Sequence, residues 1–464
     1  MVCMEPTLEA SAVEQARRVR DGSISSVELV GAHLRHIERV DTAIHAVVEP
    51  LAERALAAAR EADDALARGG PLGPFHGVPF SIKDSLEVSG TRCTAGTAGR
   101  ACAQPSAADA TLVARLRQAG GIPIAKTNLP DLLFAFETDN LIFGRTKNPY
   151  SLERTPGGSS GGEAALIAAC GSPMGLGSDC AGSVRLPAAF CGIAGLKPTS
   201  GRLPRTRHFP PAGGWIEALW QIGPMARRVE DLSAMMQVLA GSDGEDPTAV
   251  DLGFTPLDSR RLSELRVAFF TDDAVPEVAA VVRSAAQALS GTVRSIEESR
   301  PGCFGETYDL EMKLLGADGG DALRSYLHDL GSTRLHPLLS AWLKKLEAYR
   351  TDLAGFQAYW NEWTDYRLRM CEFFRPYDVL LCPAYPQPAL PHGASTLDAN
   401  FRGFRATMAF NLSGLPAAVV RCGASGDGLP IAVQVASRAW REDVALAVSA
   451  RLEEIFGGWQ APAI

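Results

Sequence analysis

Residues 155–203 read TPGGSSGGEAALIAACGSPMGLGSDCAGSVRLPAAFCGIAGLKPTSGRL, and we call this stretch the signature core. Its composition predicts a helix over residues 161–169, opened by a capping box of Ser160 and Glu163. A short buried strand is predicted next, over residues 173–178. Ser159 and Ser183 therefore lie on tight, glycine-rich backbone at the ends of regular elements, a placement that suits a nucleophile and its proton partner.

Two other interpretations of the glycine-serine stretch remain open from its residues alone. Such stretches are commonly flexible connections. In addition, Gly157-x-Ser159-x-Gly161 matches the nucleophile elbow of α/β-hydrolases, which requires a strand immediately before it. Residues 148–156 contain two prolines and no apolar run, so they favour a loop and disfavour the elbow.

Three motifs follow one another in the core: GGSSGGE from Gly157, GSDCAGSVRLPAAFCG from Gly177, and GLKPT from Gly195. In order and spacing they resemble the amidase signature hydrolases, and the fatty acid amide hydrolase branch of that family in particular. The resemblance implies an α/β fold with a mixed central β-sheet covered by helices on both faces. It also implies a Ser–Ser–Lys triad without a cofactor.

The resemblance assigns a role to each member of that triad. Ser183 matches the nucleophile, and Ser159 matches the serine that follows a cis peptide bond after Gly158. Upstream, GVPFSIKDSLEVSGT from Gly77 matches the family pattern that places Lys83 as the base. The backbone N–H groups of the oxyanion hole are then expected from Cys180, Ala181, Gly182 and Ser183.

Three positions of this site depart from residues common in the family. Ala181 replaces a glycine, Ser178 a threonine, and Cys93 a threonine. If position 181 requires a positive φ, alanine costs stability there. Asp179 and Arg185 are expected to form an ion pair that braces the turn between them.

Lysine acts as a base only when it is neutral, and an ordinary pKa near 10.4 leaves about one neutral molecule in 2500 at pH 7. We therefore expect Lys83 to be buried without a carboxylate partner, since burial disfavours the charged form. Asp84 is adjacent in sequence, but consecutive residues on extended chain point to opposite faces, so it need not pair with Lys83.

The composition excludes several other function classes. The chain has 464 residues, of which 46% are hydrophobic and 21% charged, and a net charge of −8 without a basic run, which disfavours nucleic-acid binding. Eight scattered histidines without metal-ligand spacing predict no metal site. No apolar run approaches the roughly 18 residues of a membrane span, so a soluble protein is expected.

The first residues and the cysteines indicate where in the cell the protein resides. Residues 1–6 have neither the positive nor the apolar segment of a signal peptide. Ten cysteines are scattered without CxxC pairs, which is typical of reduced thiols in the cytoplasm. We therefore predict a cytoplasmic protein, and by analogy with the family a homodimer through its N-terminal helices.

We predict a single amidase signature domain over residues 1–464, with an N-terminal helical region over residues 1–70. His33 and His36 lie on one of its helices among polar neighbours and are predicted to be solvated. Residues 300–375, here called the variable helical region, carry an aromatic stripe that is typical of a core. The resemblance implies that this region shapes the substrate pocket.

Alternating helices and strands are predicted along the rest of the chain. The predicted helices span residues 107–119, 228–240, 278–289 and 443–455, and the predicted strands span residues 78–82, 122–125, 265–270, 378–382, 415–420 and 431–435. Lys83 follows the first of these strands, and ligands gather at the carboxyl ends of strands in α/β sheets.

Together these features predict a serine amidohydrolase of linear amides, for which esters and carbamates are further candidate substrates. One alternative is the glutaminase (A) subunit of a tRNA-dependent amidotransferase, which usually has glutamine where this chain has Leu186. Another alternative is a non-catalytic binding protein on the same fold. The presence of Lys83, Ser159 and Ser183 together argues against that second alternative.

Overall fold

The computed structural model describes residues 6–211 and 213–464. The interpretation that no signal peptide is present rests on residues 1–6, of which residues 1–5 lie outside the described residues. Among the helices that the structure describes, none is both long and apolar enough to cross a membrane.

One eleven-stranded sheet, of order β1-β3-β2-β6-β8-β7-β12-β13-β11-β9-β10, forms the centre of the molecule, and β4 and β5 pair in a separate hairpin. The strands are β1 (Val47–Pro50), β2 (Pro79–Lys83), β3 (Ile122–Thr127), β4 (Asp139–Asn140), β5 (Gly144–Arg145), β6 (Met174–Asp179), β7 (Ala194–Lys197), β8 (Gln221–Ala226), β9 (Arg266–Phe269), β10 (Ser295–Glu298), β11 (Val379–Pro383), β12 (Ala417–Ala424) and β13 (Pro430–Ser437). Parallel pairs such as β2 with β6 and antiparallel pairs such as β12 with β13 occur in the same sheet, so it is mixed.

Helices cover both faces of this sheet. They are α1 (Pro6–Glu9), α2 (Ala12–Arg20), α3 (Ser26–Ile44), α4 (Ala52–Arg68), α5 (Thr111–Gln118), α6 (Gly161–Ala168), α7 (Arg185–Phe190), α8 (Val229–Leu239), α9 (Pro276–Ala288), α10 (Thr307–Leu315), α11 (Asp321–Asp329), α12 (Pro337–Leu346), α13 (Leu353–Phe373), α14 (Asp398–Phe401), α15 (Arg405–Leu412) and α16 (Glu442–Phe456). The α/β fold with a mixed sheet predicted from the sequence is confirmed.

The alternation of side chains along β2 decides which residues reach the candidate site. Phe80 and Ile82 pack into the core cluster that contains residues of α5 and α8. Because neighbouring side chains of a strand point to opposite faces, Ser81 and Lys83 face the other side of the sheet, where α6 lies. Lys83 is thus delivered to the carboxyl end of β2, beside the parallel strand β6.

Several predictions for the N-terminal region need correction. Residues 47–50 form strand β1 at the sheet edge, where only helices were expected. His33 and His36, predicted to be solvated, are buried: His33 Nδ1 donates to the carbonyl of Cys170 (3.1 Å) and His36 Nε2 to that of Ala169 (2.5 Å). They lie on the side of α3 that packs against the end of α6. Polar residues next to them in sequence therefore did not indicate that the two side chains are exposed.

The capping box predicted at Ser160 is also wrong, although α6 begins where expected. Ser160 makes no side-chain cap, and its Oγ instead donates to the carbonyl of Ser178 (3.2 Å). The carboxyl of Glu163 accepts hydrogen bonds from Ser81 and from Thr127 (2.6 Å). Both side chains are therefore drawn into contacts with neighbouring strands and away from the helix end.

Candidate active site

Lys83 ends β2 as a fully buried side chain surrounded by hydroxyl groups. Its Nζ donates to Oγ of Ser159 (2.7 Å) and to Oγ of Ser178 (3.0 Å). Within the described ranges, no carboxylate lies within ion-pairing distance of Nζ. Asp84 instead pairs with Lys126 (2.5 Å) on the adjacent strand. The structure thus brings Lys83 and Ser159 together and separates Lys83 from its neighbour in sequence.

The protonation of Lys83 follows from these surroundings. Burial lowers the pKa of Lys83 well below its ordinary value of 10.5, although the more distant charges of Asp179 and Glu163 oppose the change. Burial also raises the pKa of Glu163 to about 7 against the hydrogen bonds from Ser81 and Thr127, which would lower it. The neutral amine is therefore far more populated than in an exposed lysine.

Ser159 lies just before α6, and the peptide bond between Gly158 and Ser159 is cis. A Cβ added to Gly158 would come within 2.7 Å of the backbone of Ala135 and Glu137, so only glycine fits there. The N–H of Ser160 donates to the carbonyl of Ser183 (3.1 Å), which fastens the two serine-bearing segments to each other.

The turn that carries Ser183 is organised by the buried carboxylate of Asp179. This carboxylate accepts the N–H of Gly182 (2.8 Å) and of Val184 (3.1 Å), and Arg185 pairs with it (2.9 Å). Burial alone would raise the pKa of Asp179, but the charge and hydrogen bonds of Arg185, with that of Asn411, hold it well below its ordinary value. The structure therefore brings the expected bracing pair into contact.

The four backbone N–H groups expected to form the oxyanion hole differ in whether they already have a hydrogen-bond acceptor. The N–H of Gly182 is directed to Asp179, so the structure departs from the expectation that it is a free donor. Gly182 supplies the positive φ of the turn, 120°, and Ala181 is not among the residues with a positive φ. Alanine at position 181 is therefore tolerated. In the part of the chain that the structure describes, the N–H groups of Cys180, Ala181 and Ser183 have no acceptor.

A cleft of about 510 Å³ opens in front of the two serines. Ser159, Ser183, Cys180 and Ala181 form its floor, and its walls are apolar, with Leu133, Phe134, Phe136, Trp220, Leu315 and Trp342 among them. Among its described lining residues, none carries a charge.

A family model described as "Amidase" matches residues 28–446 of the chain. This chain belongs to the amidase family. It is 33% identical over 478 aligned residues to the A subunit of the glutamyl-tRNA(Gln) amidotransferase of Prochlorococcus marinus (strain MIT 9303), covering 95% of this chain and 96% of that protein. The match confirms the family recognised in the motifs, and with it an enzyme that hydrolyses carbon–nitrogen bonds.

Solved structures extend the comparison to small-molecule enzymes. A 6-aminohexanoate cyclic dimer hydrolase is 29% identical with a TM-score of 0.85, covering 98% of this amidase and 99% of that chain. A bacterial aryl acylamidase of the amidase signature family is 25% identical with a TM-score of 0.85, covering 97% of each chain. Full-length similarity therefore runs both to hydrolases of small amides and to one component of an amidotransferase.

The structure of this amidase also excludes the two other interpretations of the glycine-serine stretch. Residues 146–156 form isolated bridges and turns, so no strand precedes Gly157 as a nucleophile elbow would require. Residues 155–163 are all buried, which a flexible connection would not be. Cys180 lines the cleft, but burial raises the pKa of its thiol well above the ordinary value, which disfavours the nucleophilic thiolate.

Sequence reasoning missed several residues that hold the site of this amidase in place. Asn411 donates to the carboxylate of Asp179 (2.9 Å), and Gln434 accepts from Arg185 (2.8 Å). Asn411 opens the segment NLSGLP, which lies more than 200 residues after the signature core and carries no local signal of a contact with Asp179. Ser178 could have been found from the sequence. Threonine is common at this position in the family, and serine keeps the hydroxyl that contacts Lys83.

Proposed function

We propose that this amidase hydrolyses linear amides of small, uncharged acyl or aryl-acyl groups through an acyl-enzyme on Ser183. The observation that carries the proposal is the apolar cleft, onto which both Ser159 and Ser183 open while Lys83 lies behind them. An apolar wall binds hydrocarbon groups by removing them from water. Charged substrates would have to leave water without a partner, which is costly.

In the proposed mechanism, neutral Lys83 accepts a proton from Ser159, which takes the proton of Ser183 as that oxygen attacks the carbonyl carbon. The N–H groups of Cys180, Ala181 and Ser183 are the proposed donors that stabilise the oxyanion, since none of them has an acceptor among the described residues. The proton then returns through Ser159 to the leaving nitrogen. Water repeats the cycle on the ester that joins the acyl group to Ser183 and releases the acid.

Esters and carbamates are included in the proposal because they pass through similar tetrahedral intermediates. The steps above require only that the leaving atom can take a proton, whether that atom is the nitrogen of an amide or the oxygen of an ester. The preference among amide, ester and carbamate is then set by the fit of the leaving group. A panel with one acyl group and three kinds of leaving group measures this preference directly.

We further propose that the chain is one amidase signature domain over residues 1–464, and that the variable helical region sets acyl specificity. Leu315 at the end of α10 and Trp342 on α12 both line the cleft. The floor of the cleft comes from the signature core, whereas these wall residues come from helices far from it in sequence. Chemistry and specificity are thereby assigned to separate parts of the chain.

The second candidate is the glutaminase (A) subunit of a tRNA-dependent amidotransferase, because the full length of this amidase aligns with such proteins. Free glutamine carries an ammonium and a carboxylate beside its side chain. A site that holds it needs charged or strongly polar partners. The apolar lining of the cleft supports the small-molecule hydrolase over this candidate.

The test is to treat the protein with a fluorophosphonate, locate the adduct by peptide mass spectrometry, and assay an acyl anilide beside glutamine. We expect the adduct on Ser183, its loss in Ser183→Ala, and slower labelling in Ser159→Ala and Lys83→Ala. Ser172→Ala is the matched control, because Ser172 is a buried serine of the same core whose Oγ donates to the carbonyl of Met174 (2.7 Å).

The outcomes separate the candidates. An adduct on Ser159 would contradict the assignment of Ser183 as the nucleophile. Hydrolysis of glutamine without hydrolysis of the anilide would favour the amidotransferase component. The absence of any adduct, with an unchanged melting temperature, would favour a binding protein on this fold.

A further inference from the structure

Helix α15, which lies outside the signature core, holds two carbonyl groups of the turn that carries Ser183. Thr407 and Asn411 are one helical turn apart on the same face of α15, and both are buried. The hydroxyl of Thr407 donates to the carbonyl of Ala181 (2.8 Å). The side-chain amide of Asn411 donates to the carbonyl of Asp179 (3.3 Å) as well as to its carboxylate (2.9 Å). One helix therefore contacts the turn at two points of its backbone.

The peptide unit between Ala181 and Gly182 is anchored at both of its polar ends. Its carbonyl accepts from Thr407, and its N–H donates to the carboxylate of Asp179 (2.8 Å). Because the C=O and N–H of a planar trans peptide point in opposite directions, the two contacts together fix the rotation of this unit. Among the described residues, no group other than the Thr407 hydroxyl donates to the carbonyl of Ala181.

A contact within α15 offers a plainer explanation of the Thr407 hydroxyl. Its Oγ1 also lies 3.0 Å from the carbonyl of Phe404, and threonines inside helices often bond to a carbonyl of the preceding turn. A hydroxyl has only one hydrogen to donate, however, and the carbonyl of Ala181 is the nearer acceptor. A Cβ added to Gly182 would come within 2.2 Å of Oγ1 of Thr407. The nearer acceptor and this close packing both assign the hydroxyl to the turn.

The anchored peptide unit lies between the candidate donors of the oxyanion hole. Cys180, Ala181 and Ser183 line the cleft and have N–H groups without an acceptor among the described residues, whereas Gly182 is not a lining residue. The N–H groups of Ala181 and Ser183 belong to the peptide units on either side of the anchored one. Its rotation therefore sets the direction of both. A carbonyl of Ala181 that turned toward the cleft would place negative partial charge beside the oxyanion.

Resting on the function proposed above, we propose that Thr407 is a positioning residue of the oxyanion hole. Its hydroxyl holds the carbonyl of Ala181 on the side of the turn away from the cleft, and so keeps the neighbouring N–H groups directed at the developing oxyanion. Donors of this kind lower the barrier because they are in place before charge develops. Thr407 itself touches neither the substrate nor the reacting atoms.

The test compares Thr407→Ala with Thr407→Ser, because these two variants differ only in the hydroxyl. Removing an oxyanion-hole donor outright costs about 10²–10³ in kcat, so loss of a group that positions the donors should cost less, about 30-fold on an acyl anilide. KM should stay within about twofold, since the affected contact is made in the transition state. Thr407→Ser should keep kcat within about threefold of the unsubstituted enzyme, because the donor is restored.

A second readout does not depend on the choice of substrate. The rate constant for labelling of Ser183 by a fluorophosphonate should fall by at least about tenfold in Thr407→Ala, because attack on phosphorus also develops charge on an oxygen. Thr407→Ser should restore this rate. If Thr407→Ala does not fold, Thr407→Cys takes its place, because a thiol is a weak donor and should slow labelling to an intermediate rate.

Thr91→Ala is the matched control. Thr91 is also buried, its hydroxyl donates to the carbonyl of Val88 (2.8 Å), and it does not line the cleft. Both alanine variants should lower the melting temperature, because each leaves a buried carbonyl without its donor. Only Thr407→Ala should lower kcat and the labelling rate.

Several results would overturn the proposal. They are unchanged rates in folded Thr407→Ala or Thr407→Cys, equal losses in Thr407→Ala and Thr407→Ser, a raised KM with an unchanged kcat, and an equal loss of kcat in Thr91→Ala. The proposed function is judged separately, by labelling of Ser183 in the unsubstituted enzyme. An enzyme labelled at Ser183 whose Thr407→Ala variant keeps its full rates therefore retains its function and loses only this inference.

Discussion

The signature core and the variable helical region both reach the cleft, but they treat buried polar groups in opposite ways. In the described part of the core, every buried side-chain nitrogen and oxygen has a partner, and Asp179 alone accepts five hydrogen bonds or more. In the variable helical region, both carboxyl oxygens of Glu311 and Nε1 of Trp342 have none. The comparison indicates that the signature core holds its buried polar groups in a fixed network, whereas the variable helical region bears the cost of leaving some of them unpaired.

The largest expected effect comes from replacing Lys83 with a residue of similar volume that has no amine. Lys83→Met should lower kcat by about 10⁴-fold, because it removes the amine that contacts Ser159 and is the candidate acceptor of its proton. Its matched control is Lys197→Met, since Lys197 is also a buried lysine of the core region, whose Nζ donates to the carbonyl of Pro198 (2.7 Å). Steady-state kinetics on an acyl anilide should show that the control keeps kcat within about tenfold.

The same substitution should stabilise the protein. Because the pKa of Lys83 is lowered on folding, the unfolded chain binds a proton that the folded chain lacks, from the lowered value up to 10.5. Wild-type stability therefore rises with pH in that window, by up to about 1.4 kcal/mol per unit for one group. Lys83→Met should have a higher melting temperature than wild type at pH 7, and its melting temperature should rise less than that of wild type between pH 7 and pH 9. A lower melting temperature at pH 7 would contradict this account.

The next effect tests whether the turn depends on its ion pair. Arg185→Met leaves the carboxylate of Asp179 buried without its cation, which should cost about 3–5 kcal/mol of stability. It should also lower kcat by about 10²-fold, because the donors of the turn lose their support. Arg202→Met is the control: it breaks a comparable buried pair with Glu442 (2.7 Å) that does not touch the turn.

Thermal unfolding and kinetics on the folded fraction separate the two effects of Arg185→Met. Both variants should lose melting temperature, and only Arg185→Met should lose kcat. Equal losses of kcat in the two variants would show that general destabilisation, and not the turn, is responsible.

The smallest expected effect contrasts a paired and an unpaired buried carboxyl. Burial raises the pKa of Glu163 to about 7 and that of Glu311 well above its ordinary value, so the folded protein holds both protons more tightly than the unfolded chain does. Above pH 4.5 only the unfolded chain loses these protons, and wild-type stability falls as pH rises toward the raised values. Glu311→Gln and Glu163→Gln should each reduce the fall in melting temperature between pH 5 and 8.

The two variants should differ at pH 5. Glu163→Gln should be less stable than wild type by about 1 kcal/mol, because an amide cannot replace both acceptors of Ser81 and Thr127. Glu311→Gln should be nearly equal to wild type there, since no hydrogen bond is lost. A loss in Glu311→Gln as large as that in Glu163→Gln would remove the contrast between the two regions.

Seven of the thirteen described strands were predicted, together with several helices, because their sequence patterns are local. α16 and β11, for example, differ from the predicted ranges by one residue at each end. Strand β1 was missed because four residues at a sheet edge between two helices carry too short a pattern. The burial of His33 and His36 was missed for another reason: it depends on the end of α6, more than 130 residues away.

The candidate site was predictable to the extent that contiguous motifs describe it. Lys83, Ser159 and the turn before Ser183 each lie within a recognisable segment, and the structure places these segments side by side. The direction of the Gly182 N–H was not predictable, because it depends on the rotamer of Asp179 and on Asn411 from α15. The roles of the three candidate residues stay predictions until the labelling experiment is done.

The hydrogen bonds from α3 to the end of α6 have a consequence for protein engineering. Ala169 and Cys170 offer carbonyls that a helix leaves unsatisfied at its last turn, and two imidazoles from the N-terminal part of the chain donate to them. The first turn of that same helix directly follows Ser159. A shortened enzyme that begins after α3 would therefore expose unsatisfied carbonyl groups at one end of the helix whose other end holds a candidate serine.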